Sequence, residues 1–303
     1  MWDAARTVLI SVGQTFAVAA LGYLYGRLRS PKASELTDVT MSIFVPALAI
    51  TTILDTKVEA AQLGQAAGGV LIVMAVSFAG GWLALRVLKM GMRRGLILTL
   101  VIVNSANIPF PLLEPNFGPQ GMAMGIMCYI TSNVMVFTFG IAWMSGRLRP
   151  DLLLKEPAFL ATVAALIMKF TGLQLPPIVN ETAHLAARGA IPAMLVILGQ
   201  TLAGIRVQDL RLALVGVGLR YLLGFAGALL AVIVLGLDGL LRQIILFYGV
   251  LPSAVVNVVL ARRYDRDADL VATMVLLTTL VAVVLLPAAL LFLKAGGAAR
   301  LTP

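Results

Sequence analysis

Three asparagines and a serine, set among prolines in otherwise apolar sequence, are the residues best equipped to bind something. Residues 104–116 read NSANIPFPLLEPN and residues 251–257 read LPSAVVN. The amides of Asn104, Asn107 and Asn257 offer donors and acceptors without a charge, and Ser253 can donate to a substrate or cap a helix. Pro109, Pro111 and Pro252 remove backbone donors and fix breaks in what would otherwise be continuous helix. Broken helix in hydrocarbon leaves peptide groups without partners, at several kcal/mol each, and is tolerated only inside protein or beside a wet cavity. An amide left unpaired there costs about 1–3 kcal/mol, so these asparagines either hold the freed backbone or bind a ligand. Half-helix N-termini add a positive end, so two of them meeting would bind a carboxylate without a fixed cation.

Further candidates lie on the flanking segments. Asn133, in Tyr129-Ile-Thr-Ser-Asn133, either faces the breaks or joins helices. Pro46 and Pro192 kink their helices or line the opposite wall of the site, with Gln200 a weaker candidate beside Pro192. Arg220 lies within an apolar run, where it either snorkels to the surface or pairs with a substrate carboxylate. Glu114 sits at the end of the first broken segment as a gate or mouth residue, and His184, the single histidine, is a candidate for proton coupling or a structural residue at a helix end. Asp265, Asp267 and Asp269 alternate among arginines without the glycine and terminal glutamate of a calcium loop, and read as a turn. The single cysteine, Cys128, is a packing residue and excludes an internal disulfide. No metal or cofactor is expected.

The elements that must position these residues are membrane helices. The chain has 303 residues, 60% hydrophobic and 12% charged, with mean hydropathy +0.98. Soluble domains run near 25% charged. Runs of bilayer length fall at roughly 6–26, 34–54, 62–88, 95–113, 120–144, 158–172, 181–204, 209–235, 241–261 and 269–293. Ala17-Val-Ala19 resembles a signal-peptidase site, but the apolar run around it is long enough to span and reads as an uncleaved first helix. Of the 23 Lys and Arg residues, fifteen fall in the loops after odd-numbered spans and seven on the other side. The positive-inside rule then puts those loops in the cytoplasm and both termini outside. The net charge of +9 is thus a topology signal, and no nucleic acid partner is implied.

The two broken segments lie in matching places. Pro46 aligns with Pro192 at an offset of 146 residues, Arg94 with Arg242 at 148 and Phe117 with Tyr264 at 147. The chain then divides into residues 1–146, a cytoplasmic hinge 147–157 and residues 158–303. Five spans per half is odd, so the halves insert in opposite senses, as an inverted repeat.

Asn104 through Leu113, the Asn-Phe-Gly-Pro-Gln-Gly of residues 116–121, and Leu251-Pro-Ser-Ala-Val-Val-Asn-Val-Val-Leu-Ala-Arg-Arg-Tyr264 resemble the auxin efflux carrier family, whose bacterial members are often described as malate or malonate permeases and whose plant members are the PIN proteins. The resemblance implies an all-α polytopic protein of ten helices in two inverted five-helix repeats, with helices 4 and 9 broken and crossing. It implies a scaffold of helices 1, 2, 6 and 7, commonly dimeric, and a moving transport domain of helices 3–5 and 8–10. Asn257 stands where plant members carry a crossover proline, which fits an organic-acid carrier better than an auxin-specific one.

The expected function is a secondary carrier of a small carboxylate, working by alternating access in the cell (inner) membrane, with the lipid bilayer and a second copy as partners. A sodium- or proton-coupled symporter of bile-acid type on the same fold is the alternative. No Walker motif is present, and one histidine with no paired intramembrane acids argues against an enzyme.

Overall fold

The computed structural model describes residues 2–29, 33–57, 59–147 and 150–298. Lys32, Arg149 and Arg300 of the charge tally, and Leu148 of the hinge, lie outside them. The described residues are helical, with one isolated antiparallel bridge, Val103–Ser253. In chain order the α-helices are α1 (Trp2–Arg29), α2 (Ala33–Val39), α3 (Val45–Asp55), α4 (Ala60–Val87), α5 (Arg94–Val101), α6 (Pro109–Met135), α7 (Ile141–Ser145), α8 (Pro157–Thr171), α9 (Pro177–Ala203), α10 (Leu210–Val234), α11 (Gly239–Gly249), α12 (Val256–Arg263) and α13 (Ala268–Ala298).

Seven stretches of the described residues are long and apolar enough to cross a bilayer: 5–29, 35–55, 60–87, 109–145, 177–203, 210–234 and 268–295. Their outward faces carry Leu21, Leu83, Leu222, Ile233, Val284 and Phe292, all well exposed. Helices apolar on every side belong in lipid, and the chain is a multi-pass membrane protein. Residues 17–19 lie within the uninterrupted α1.

Three of the ten expected segments fall outside these seven for a local reason. Residues 95–113 unwind at 102–108, between α5 and α6, and residues 241–261 unwind at 250–255, between α11 and α12. Residues 158–172 form the 15-residue α8. The first unwinding lies upstream of where the prolines suggest it. Pro109 opens α6 instead of ending a helix, because a first-turn residue needs no intrahelical donor. Gly118, at φ 69°, breaks α6 again with a kink that its left-handed backbone permits. A π-helical turn at Thr40–Phe44, in which the Val45 amide reaches back to the Thr40 carbonyl, re-phases the helix just ahead of Pro46.

Glycines set the closest helix contacts. In α1 and α9, a Cβ on Gly199 would lie 1.9 Å from the Ala19 carbonyl oxygen and one on Gly22 would lie 2.4 Å from that of Val196. Small residues allow such backbone approach where hydrophobic burial gives no net drive. Around them α3 packs on α8 and α9, while α4, α5, α11 and α13 surround α10. Gly199→Ala should therefore separate α1 from α9 and lower the thermal midpoint in detergent, at a cost of about 1–3 kcal/mol. Gly218→Ala, with nothing within 4 Å of its Cβ, should leave the midpoint unchanged or raise it.

Candidate functional site

The two unwound segments cross and pair with each other. Asn104 N–H donates to the Pro252 carbonyl at 2.8 Å and Ala254 N–H to that of Ile102 at 3.1 Å, making the Val103–Ser253 bridge. The Asn257 amide adds a third link, from Nδ2 to the Ile102 carbonyl at 2.8 Å. Ser253 is held on both sides: its Oγ donates to the Thr99 carbonyl at 2.8 Å, and its N–H donates to Thr278 Oγ1 at 3.1 Å. Asn104, Ser253 and Asn257 are all buried. Backbone freed by the breaks is thus partnered within protein, as hydrocarbon requires.

Arg220 completes the knot. Its Nε donates to the Leu251 carbonyl at 3.2 Å, Nη1 to Leu100 at 3.1 Å and Nη2 to Gly249 at 3.1 Å. One guanidinium thus binds the carbonyl ends of both α5 and α11, where a cation is favoured by the helix dipoles. With 0% exposure it does not snorkel to a surface, correcting that expectation. The neighbouring helix turns leave room for it: a Cβ on Gly224 would lie 2.3 Å from the Gly249 oxygen and 2.4 Å from Nη1.

Two asparagine atoms at the crossing have no protein partner. Asn104 Oδ1 accepts from Asn107 N–H at 3.1 Å, which leaves its Nδ2 as an unused donor; Asn257, donating through Nδ2, leaves Oδ1 as an unused acceptor. Asn107 contributes its backbone to this turn. Pro252 lies within the second unwound segment, and Pro111 sits in the first turn of α6.

The other candidates are scattered. Asn133, on the same helix face as Tyr129, has an unpartnered Nδ2, and Tyr129 stacks edge-on against Phe110 at the start of α6. Pro46 is buried and Pro192 exposed, while Gln200 has a buried Oε1 without a partner. Glu114 is exposed at the far end of the first α6 segment. His184 Nε2 lies 3.4 Å from Asp55 Oδ2, joining α9 to α3 away from the crossing.

Several residues have roles that sequence reasoning does not assign, Asp267 among them, which reads there only as part of a turn. Asp267 accepts from Gly95 N–H at 3.1 Å and pairs with Arg93, capping α5 from the α12–α13 turn. Tyr248 and Ser132 share a hydroxyl bond at 2.6 Å that ties α11 to α6. Glu156, just ahead of α8, is half-buried beside Asn133; burial pushes its carboxyl above the ordinary glutamate range, and the Asn133 amide draws it partly back. Thr278, which anchors Ser253, is one of three buried threonines in α13, a visible polar signal in a Leu/Val run.

Comparisons with known proteins place the chain in a family. A family described as "Membrane transport protein" matches residues 7–153 and 148–290. The chain belongs to that family. It is the auxin efflux carrier family that the broken segments resemble. A relative from Methanocaldococcus jannaschii, described as an uncharacterised transporter, is 23% identical over 296 residues, covering 91% of this chain and 94% of its own. A second, from Methanothermobacter thermautotrophicus and described in the same words, is 25% identical over 307 residues, covering 91% of this chain and 95% of its own. The protein is a membrane transporter, a class outside the enzymes.

Arg220→Met leaves three buried carbonyls without their donor and should destabilise the protein by at least about 3 kcal/mol, with Arg220→Lys intermediate, read as thermal midpoints in detergent. A raised carboxyl costs stability as pH climbs from the ordinary glutamate range through the raised value. Glu156→Gln should therefore be more stable than wild type at neutral and alkaline pH, with the difference vanishing in acid.

Proposed function

We propose that this transporter is a secondary carrier of a small organic anion, a carboxylate of the malate, malonate or auxin-like class, with its site at the crossing of the two broken helices. The observation that carries this reading is the unused Asn104 Nδ2, a buried donor on the turn that leads into α6. A carboxylate oxygen is a natural acceptor for it, and the starts of α6 and α12 favour negative charge. An anion gains about 2.3 kcal/mol per charge per 100 mV on leaving a negative cytoplasm, so export can run without a coupling ion.

In this reading the ten segments are spans in two inverted five-helix repeats, 1–146 and 158–303, joined by the hinge 147–157. The family matches, which meet at 148–153, support that division. The packing of α1, α3, α8 and α9 on one another supports a scaffold against which the α4–α6 and α10–α13 group shifts as an elevator. The exposed Pro192 fits a scaffold helix facing lipid or a second copy, as in a homodimer. The charge asymmetry supports an inner-membrane orientation with both termini non-cytoplasmic. Pro46, Asn133, Ser253 and Asn107 would line or brace the site, and Glu114 and His184 would gate or couple it.

A sodium- or proton-coupled symporter of bile-acid type is the second reading. Asn257 Oδ1, an acceptor without a partner, favours it, since a cation or a protonated group would satisfy that atom.

Flux of labelled malate, malonate and indole-3-acetate in proteoliposomes tests both. We expect flux that follows imposed potential alone and drops about tenfold or more in Asn104→Ala. Dependence on a sodium or proton gradient would establish the symporter, and no flux of any of the three would overturn the carboxylate reading.

A further inference from the structure

Four half-helix ends meet at the crossing: the C-termini of α5 and α11 and the N-termini of α6 and α12. Each end carries roughly half an elementary charge, negative at a C-terminus and positive at an N-terminus, so the four cancel. Arg220 is what remains. It is permanently charged, and its three bonds run to the carbonyl side alone. Among the described residues it is the one charged side chain in the fully buried interior. Glu114 is exposed, and Asp267 is paired with Arg93 at the far end of α5. The guanidinium therefore neutralises the two negative ends, and the starts of α6 and α12 keep about one positive charge between them.

Two buried atoms beside those starts, one on the unwound turn ahead of α6 and one in the first turn of α12, point to a ligand. Asn104 Nδ2 lacks an acceptor and Asn257 Oδ1 lacks a donor, and the parent side chains are 5% and 0% exposed. One carboxylate satisfies the first atom. The second calls for a hydroxyl or a protonated carboxyl, because a second carboxylate would face it acceptor to acceptor.

We propose that the crossing is matched to a singly charged anion, and that Arg220 is the positioning residue that fixes this valence. The inference rests on the carboxylate-carrier reading above. A monoanion makes the buried core neutral. A dianion leaves one uncompensated negative charge away from water, and an uncharged molecule leaves the cation unanswered; either charge is costly to carry through low dielectric. A dicarboxylate would then be taken in its half-protonated form, and the empty protein, not the loaded one, would carry net charge in its core.

The test uses the full chain in proteoliposomes with malonate, monomethyl malonate and dimethyl malonate as probes at clamped potential. Malonate flux should fall about tenfold per pH unit above its second ionisation, following the hydrogen-malonate form, while flux of the permanently monoanionic ester stays flat. Thermal protection of the detergent-solubilised protein should show the same pattern, which separates choice of ligand form from proton coupling during transport. Arg220→Gln should lose the preference for the monomethyl over the dimethyl ester, and Arg220→Lys should keep it. If the variants do not fold, the wild-type comparison decides alone. Malonate flux and protection that rise with the dianion, yet remain sensitive to Asn104→Ala, would overturn the valence assignment and leave the carboxylate site standing. Absence of both flux and protection for every probe would overturn both.

Discussion

A membrane helix that stops halfway leaves carbonyls that hydrocarbon cannot satisfy, and the rest of this structure is arranged around that debt. The carbonyls at the ends of α5 and α11 are taken up by the guanidinium of Arg220. The unwound segments that follow take up each other, through Asn104 to Pro252 and Ala254 to Ile102. Neither solution works alone. The bridge needs the two chains side by side, and Arg220 is what binds both helix ends at once. The glycines at 224 and 249 then become intelligible, since any side chain there would push α11 off α10 and the guanidinium off its acceptors.

Polar side chains around the knot have a hierarchy. Ser253, Thr99 and Thr278 are bonded to backbone or to one another, so they hold the shape. Asn104 and Asn257 are each half used: one end of the amide supports a turn or a strand-like contact, and the other end is left over. A buried amide half-satisfied by protein is costly unless something else completes it, and that is why the proposed site is centred on these two residues. Asn133 and Glu156 lie beside each other near the C-terminal end of α6, where a half-buried carboxyl makes protonation part of the local energetics.

Helix packing separates into two styles. α1 and α9 meet backbone to backbone over Gly22 and Gly199, a tight and inflexible contact. The α5, α10, α11 and α13 group is held by hydrogen bonds around the crossing, as in Arg220 to Leu100 and Gly249, Tyr221 to Thr278 and Ser253 to Thr278, and Tyr248 with Ser132 ties α11 to α6. Bonds that converge on one knot make that group cohere as a unit, which is what a transporter needs if its binding residues are to keep their geometry while their surroundings change.

Much was legible in the sequence. Hydropathy alone determines a multi-pass helical protein, because lipid forbids unpaired backbone and leaves few alternatives. Asparagines clustered with prolines in the middle of apolar runs locate the two breaks to within a few residues, whereas single ones such as Pro192 and Asn133 sit inside continuous helix. What the sequence could not decide is partnership. The unwinding begins at Ile102, ahead of the prolines that announce it, because Pro109 is better used to start a helix. Arg220 reads in one dimension as a cation near a surface; its acceptors lie 29, 31 and 120 residues away in sequence. Which amide atom is spent and which is free, and where a buried charge finds its acceptors, are set by contacts between segments that only the tertiary fold brings together.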